Sequence, residues 1–278
     1  MPPAKKRART RTYDQAKIRT AVLAQFGNVR AAVRDLTPGQ LAGPAGLGDW
    51  TVRELAAHLT MALEAVSRGL DRDEPAGPAL ALLDWPSTTA PRAGEVDGDV
   101  RTLAAAEPDL DALYERTEAR FTERLPVTER LPGVSAAGAP GGRLLVTRVG
   151  TMTLADYLAT RTVELVVHTD DLNAAVPGLD VPYDRQALAA CTRLLADVLA
   201  AKAPGASTEV RVPPYAVVQC VAGPRHTRGT PPNVVETDPL TWIRLATGRT
   251  RWQAALDDAK VSASGERADL GGLLPLMS

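Results

Sequence analysis

The chain is short of cysteine, histidine, long apolar runs and net charge, and each shortage closes off a class of function. It has two cysteines, Cys191 and Cys220, with no Cys-x-x-Cys spacing. Both lie in segments that read as core, so a disulfide framework is not expected and a reducing cytoplasm fits. No apolar stretch approaches the roughly 20 residues that cross a bilayer, so no membrane span is expected. The net charge of −1 argues against a protein built to coat nucleic acid or an anionic membrane. The opening "MPPAKKRARTRT" is basic but has no apolar run behind it. It is not expected to be a secretory signal; it reads as a disordered, solvated tail, with a short nucleic-acid or anion contact as the alternative. A Ser-His-Asp set, a phosphate-binding glycine loop and a nucleotide fingerprint are all missing.

What is present is enough apolar sequence, 45% of 278 residues, for one large domain or two ordinary ones. Residues 13–36 carry Ile18, Val22, Phe26, Val29, Val33 and Leu36 at gaps of three and four, which predicts one amphipathic helix. A second helix starts at "TVRELAAHLT": Thr51 and Glu54 make a capping box, and Trp50 and Leu55 suit a hydrophobic staple. Residues 71–106, rich in Pro, Gly, Asp and Ala, read as a long connection with a short helix near Leu80–Trp85, a length often used for a lid. Further helices are predicted at Leu110–Leu125, Thr153–Ala175 and Arg185–Ala201, with a loop over residues 125–143. This order suggests a four-helix bundle with a crossover and an extra helix. Beyond residue 204 the texture changes to Val-rich strands, a helix from Asp238 through Trp252, the strand "KVSASGE" and a closing helix in "ADLGGLLPLM". The expected organisation is a tail over 1–12, a helical domain over 13–204 and a small α/β domain over 205–278, an α+β chain.

With only three histidines in the chain, each position carries information. His58 sits on the inward side of the second helix. In "YLATRTVELVVHTDDL", Glu164 and His168 lie four residues apart on one face of a helix that is apolar almost all round. A buried carboxylate and imidazole need partners. Arg161, one turn away, can supply an ordinary ion pair. A divalent metal shared with His58 is the alternative, because two histidines and a carboxylate are the ligand set of catalytic zinc sites with an open position. Nickel, cobalt or iron(II) can use similar ligands.

"DWTVRELAAHLT" and the later "ELVVHTDDL" resemble motifs of the DinB-like superfamily, in the actinobacterial branch of the mycothiol-dependent maleylpyruvate isomerases. The resemblance spans about residues 10–200, with both motifs matching in content, order and separation. It implies a DinB-like bundle with a metal held by His58, Glu164 and His168. It further implies a low-molecular-weight thiol, mycothiol, as cosubstrate, held as the nucleophilic thiolate for isomerisation or S-transfer on a small electrophile. Arg68, Arg72 and Arg92 can bind anionic groups there or stand as solvated surface arginines.

Residues 205–278, with "DPLTWIRLATG", "VSASG" and a leucine-rich end, resemble the bacterial sterol carrier protein fold. That fold implies an apolar tunnel, which Trp242, Ile243, Leu245, Trp252, Leu256 and Leu270 can line; they serve equally as a plain core. His226, between Arg225 and Arg228, reads as a rim loop or a structural turn. The leading expectation is a cytoplasmic, zinc-type, thiol-using enzyme, monomer or homodimer, with no nucleic-acid partner. The rivals are a carrier of a lipid- or sterol-like ligand and a homologue without turnover.

Overall fold

The structure, a computed structural model, is described over residues 11–126, 142–224 and 232–277. The expected basic tail lies outside the described residues through position 10, as do most of the 125–143 loop and the stretch holding Arg225, His226 and Arg228. The chain divides into two compact units, Tyr13–Cys191 and Thr192–Ser278 with Arg11 and Thr12. Among the described residues no helix is long and apolar enough to cross a membrane.

The first unit is a helical bundle whose helices begin where capping chemistry places them. Helix α1 (Gln15–Arg34) starts at Asp14, whose carboxylate accepts the Lys17 N–H at 2.9 Å. It buries Ile18, Val22, Phe26, Val29 and Val33, the apolar stripe of its sequence. After a single turn of helix, α2 (Pro38–Leu41), comes α3 (Val52–Leu70). Thr51 and Glu54 close the capping box in both directions, and Leu55, Leu59, Ala62, Val66 and Leu70 are buried. Helix α4 (Ala93–Ala106) leans on α3. Helix α5 (Leu110–Arg124) starts at Asp109, and α6 (Leu154–Ala175) at Thr153, each through a side-chain cap. Packing runs α1 on α6, α6 on α3, α3 on α5 and α5 on α1, which closes a four-helix ring. Each leucine fully buried there contributes about 1.5–3 kcal/mol relative to exposure. Tyr114 of α5 ties the ring internally, donating its hydroxyl hydrogen to the Ala56 carbonyl at 2.7 Å.

Two stretches depart from the sequence reading. The connection over 71–106 holds two 3₁₀ turns, Leu82–Thr88 and Ala90–Arg92, and then the whole of α4. That helix escaped notice because it contains Gly94 and Gly98 and buries only Val100 and Ala104, too few positions for an apolar stripe. Before α6 stands a hairpin, β1 (Leu144–Thr147) and β2 (Gly150–Thr153), antiparallel, with Leu144 opposite Thr153. Four-residue strands carry too little alternation to be read alone. The hairpin is pinned beside α3: Arg143 donates to the carbonyls of Leu70 and Arg72, and Glu74 accepts the Leu144 N–H.

Helix α7 (Arg185–Lys202) leads into the second unit. There a four-stranded sheet has the order β4-β3-β5-β6, built from β3 (Thr208–Val212), β4 (Ala216–Cys220), β5 (Val234–Thr237) and β6 (Val261–Ser264). Strands β3 and β5 run parallel and the other pairs antiparallel. Along β3 and β4 every second residue is buried, so one face is apolar. The single helix expected after Asp238 is two, α8 (Pro239–Ala246) and α9 (Trp252–Asp257), parted at Gly248, whose φ of +75° ends the first. The expected closing helix is a series of turns, because Gly271, Gly272 and Pro275 leave no continuous helical run. Trp242, Ile243, Leu245 and Leu270 are buried, and Trp252 and Leu256 are half-buried. The architecture is α+β, as expected.

Candidate metal centre

Helices α3 and α6 lie side by side, and this packing brings the two histidine motifs to one point. The His58 Nε2 is 3.7 Å from the Glu164 Oε2, and the His168 Nε2 is 3.6 Å from the same oxygen. One ligand atom from each of the three residues lies within 4.8 Å of the others. Donors bonded at about 2.0–2.2 Å in a tetrahedron stand about 3.4 Å apart. The two separations to the Glu164 oxygen are within a few tenths of an ångström of that spacing, and three protein donors would leave a fourth position of a tetrahedral ion to another ligand. The donor set, two imidazoles and one carboxylate, suits zinc and its neighbours.

The other carboxylate oxygen has a different partner. Arg161, one turn earlier on α6, places Nη2 3.7 Å from the Glu164 Oε1, while its guanidinium lies 4.5 Å from the centre of the Tyr157 ring. The ion pair with Arg161 and the convergence with His58 thus coexist, each on its own oxygen. On the far side of His168, Nδ1 meets the Asp171 Oδ2 at 2.8 Å. That contact places the ring hydrogen on Nδ1 and leaves Nε2 free to coordinate.

The electrostatics follow from these contacts. Burial pushes the His58 pKa below its ordinary value, and the Glu164 carboxylate only partly offsets this. Burial works against ionisation of Glu164, but His168, His58 and Arg161 outweigh it and hold the carboxyl well below the usual range. Burial also opposes a charge on His168, yet Asp171 and Glu164 prevail and raise it to about 9. Without a metal, α6 therefore carries a charged imidazole between two carboxylates, and α3 offers a neutral one.

The three side chains are 13%, 23% and 15% exposed for His58, Glu164 and His168. Their exposure is toward a cavity of about 340 Å³. Its wall is assembled from α3, the 3₁₀ turns, α4, the hairpin and α6. Arg68, Arg72 and Arg92, selected from sequence, all stand on this wall, joined by Arg148 and Arg161. Glu164 is the one acidic lining residue among the described residues, so positive groups predominate on the wall, with Arg68, Arg92 and Arg148 paired to Glu64, Glu95 and Asp99. Trp85, Val146 and Val149 supply apolar wall.

Sequence reading missed Arg148, which arrives on the unforeseen hairpin, and Tyr157. It also missed the orienting contact of Asp171, although the His-x-x-Asp spacing places the two on one helix face. A further omission was Trp50, whose ring centre lies 5.2 Å from that of His58.

A family model described as the mycothiol maleylpyruvate isomerase N-terminal domain matches residues 22–173. Another, described as a bacterial SCP ortholog, matches residues 184–276. No curated protein matches the chain. Two solved structures of the mycothiol-dependent maleylpyruvate isomerase, one a histidine-to-alanine mutant, are similar to it with a TM-score of 0.55 each. Identity is 16% to the mutant and 15% to the other, over 92% of this chain and 94% of theirs. At that identity the likeness is one of fold.

Proposed function

The chain belongs to the family of the mycothiol maleylpyruvate isomerase N-terminal domain, whose model covers more than half of it, and from that membership we propose a divalent-metal-dependent, thiol-using enzyme. It acts on a small anionic electrophile by isomerisation or S-transfer. His58, Glu164 and His168 are the metal ligands of this reading, and zinc is the metal their donor set suits best. One observation carries it: two imidazoles and a carboxylate from distant segments converge at the wall of an arginine-lined cavity.

A bound divalent cation supplies the positive charge that keeps a thiol as its thiolate at neutral pH, and the thiolate is the nucleophilic form. The chain's own residues do the rest. Asp171 holds the His168 ring in the tautomer that offers Nε2. Arg161 neutralises the Glu164 oxygen turned away from the histidines. In this reading Arg72, exposed just beyond α3, and Arg92 and Arg148 across the cavity, now paired with Glu95 and Asp99, take carboxylate groups of a substrate in forked hydrogen bonds. Trp85 and the hairpin valines narrow the space open to water.

The test is calorimetric titration of the metal-loaded and the chelated protein with mycothiol, followed by assay with maleylpyruvate. Thiol binding that requires the metal, and turnover that requires both, are the expected results. Equal thiol binding with and without metal contradicts the reading.

A further inference from the structure

The two histidines are held in different ways. His168 has a carboxylate on its outer nitrogen, the usual device for fixing a ligating imidazole. The His58 Nδ1 is buried and has no hydrogen-bond partner among the described residues. With Nε2 turned to Glu164, a hydrogen bond at Nδ1 would be the ordinary way to fix the ring's rotation, and none is there. Something else must hold the ring, because an imidazole free to turn presents its nitrogen only part of the time.

Two aromatic surfaces close on it. The His168 ring meets it edge-on, centres 4.7 Å apart and planes at 86°. The Trp50 indole lies on another side, centres 5.2 Å apart and planes tilted by 55°. Both separations fall in the range of about 4.5–7 Å at which aromatic pairs attract. Trp50 precedes the cap of α3, and side chains on a helix lean toward its N-terminus, so His58 leans back toward Trp50.

Trp50 is itself tied down. Its carbonyl accepts the Ala45 N–H at 2.7 Å, and its own N–H donates to the Leu47 carbonyl at 3.1 Å. Its indole Nε1 donates to the Asp97 Oδ1 at 2.7 Å, and Asp97 is held in turn by Arg101 at 3.1 Å. Asp97 stands on α4, next to the cavity residue Val96.

We infer that Trp50, anchored through its indole N–H to Asp97 on α4, is the positioning residue of His58, replacing by ring packing the hydrogen bond that His168 receives from Asp171. The inference rests on the metal reading of this site. It makes the aim of the α3 ligand depend on α4 being in place, whereas the α6 ligands are aimed from within their own helix.

Titration with cobalt(II), whose visible absorption reports coordination geometry, tests it on the full chain in three forms: wild type, Trp50→Leu and Asp97→Ala. Asp97 is half-exposed and outside the core, so its variant keeps the test available should Trp50→Leu fail to fold; circular dichroism reports which variants are folded. Trp50→Leu is expected to bind cobalt about 10-fold or more weakly, as losses of orienting partners do, with altered absorption bands. Asp97→Ala is expected to shift both in the same direction by less, and Trp50→Phe, which keeps a ring against His58, to restore most of the affinity lost in Trp50→Leu. Either folded variant, Trp50→Leu or Asp97→Ala, binding cobalt with wild-type affinity and spectrum overturns the inference. Wild-type protein that takes up no cobalt overturns the metal reading and this inference with it, so the wild-type titration separates the two failures.

Discussion

Helix α3 is amphipathic, with Arg53, Glu54, Glu64 and Arg68 on the side away from its core, while α6 is largely buried and turns only Tyr157, Arg161, Glu164 and His168 to the cavity. A polar side chain on α6 must therefore find its partner inside the protein. Along the stripe that holds the two ligands the helix provides partners from its own length: Arg161 faces Glu164, Glu164 faces His168, and His168 faces Asp171. On α3, His58 stands at the edge of an ordinary amphipathic helix and takes its orientation from Trp50 before the cap. One helix carries a self-supporting polar stripe. The other carries a single residue that depends on neighbours outside the helix.

Removing ligands should break this comparison most sharply. His58→Ala and His168→Ala are each expected to weaken metal binding by more than the roughly 10–100-fold typical of losing an orienting partner, as read by competitive titration with a chromophoric chelator. Their effects on the metal-free fold should differ. His58→Ala leaves the α6 stripe intact and should cost only the ring packing with Trp50 and His168, about 0.5–1.5 kcal/mol in urea unfolding. His168→Ala removes the partner that Glu164 and Asp171 share and should cost about 1–3 kcal/mol.

Next in size is Asp171→Asn, which keeps the shape beside His168 but loses its charge. It should weaken metal binding by about 10–100-fold while leaving secondary structure unchanged by circular dichroism.

Protons give a smaller but more specific difference. Raised to about 9, His168 is protonated at pH 7.5 in the metal-free protein, while His58, lowered by burial, is neutral. Metal binding at pH 7.5 should therefore release about one proton, from α6. The release should fade as pH rises through 9, because the group is then already deprotonated. Calorimetry in buffers of different ionisation enthalpy measures this; release of two protons, or none, would place the two histidines on an equal footing.

The smallest effects are at the caps. Thr51→Ala and Thr153→Ala should each cost about 0.5–2 kcal/mol in urea unfolding. The Thr51 change should lie in the upper part of that range, because the Thr51 hydroxyl also donates to the Glu54 carboxylate at 2.9 Å.

The same contrast explains what the sequence made legible. The start of α3 could be read from Thr51 and Glu54 alone, and the Glu164–His168 pair from its spacing on an apolar helix, because both are local. Arg68, Arg72 and Arg92 were found because they sit near α3 in sequence. The opposite wall was not readable. Helix α4 has two glycines and a thin apolar side, and the hairpin that brings Arg148 has four-residue strands whose stability depends on α3 beside them. Trp50 was visible as a capping neighbour, but its place over His58 and its bond to Asp97, 47 positions on, are tertiary facts.

The central claim is that His58 on α3 and the Glu164–His168 pair on α6 hold one metal ion between them. Its most direct test is metal content by elemental analysis after loading with zinc and desalting, on wild type, His58→Ala and Glu164→Ala. The prediction is one equivalent per chain in the wild type and none in either variant. A wild type that retains no zinc, or variants that retain the full equivalent, would contradict it.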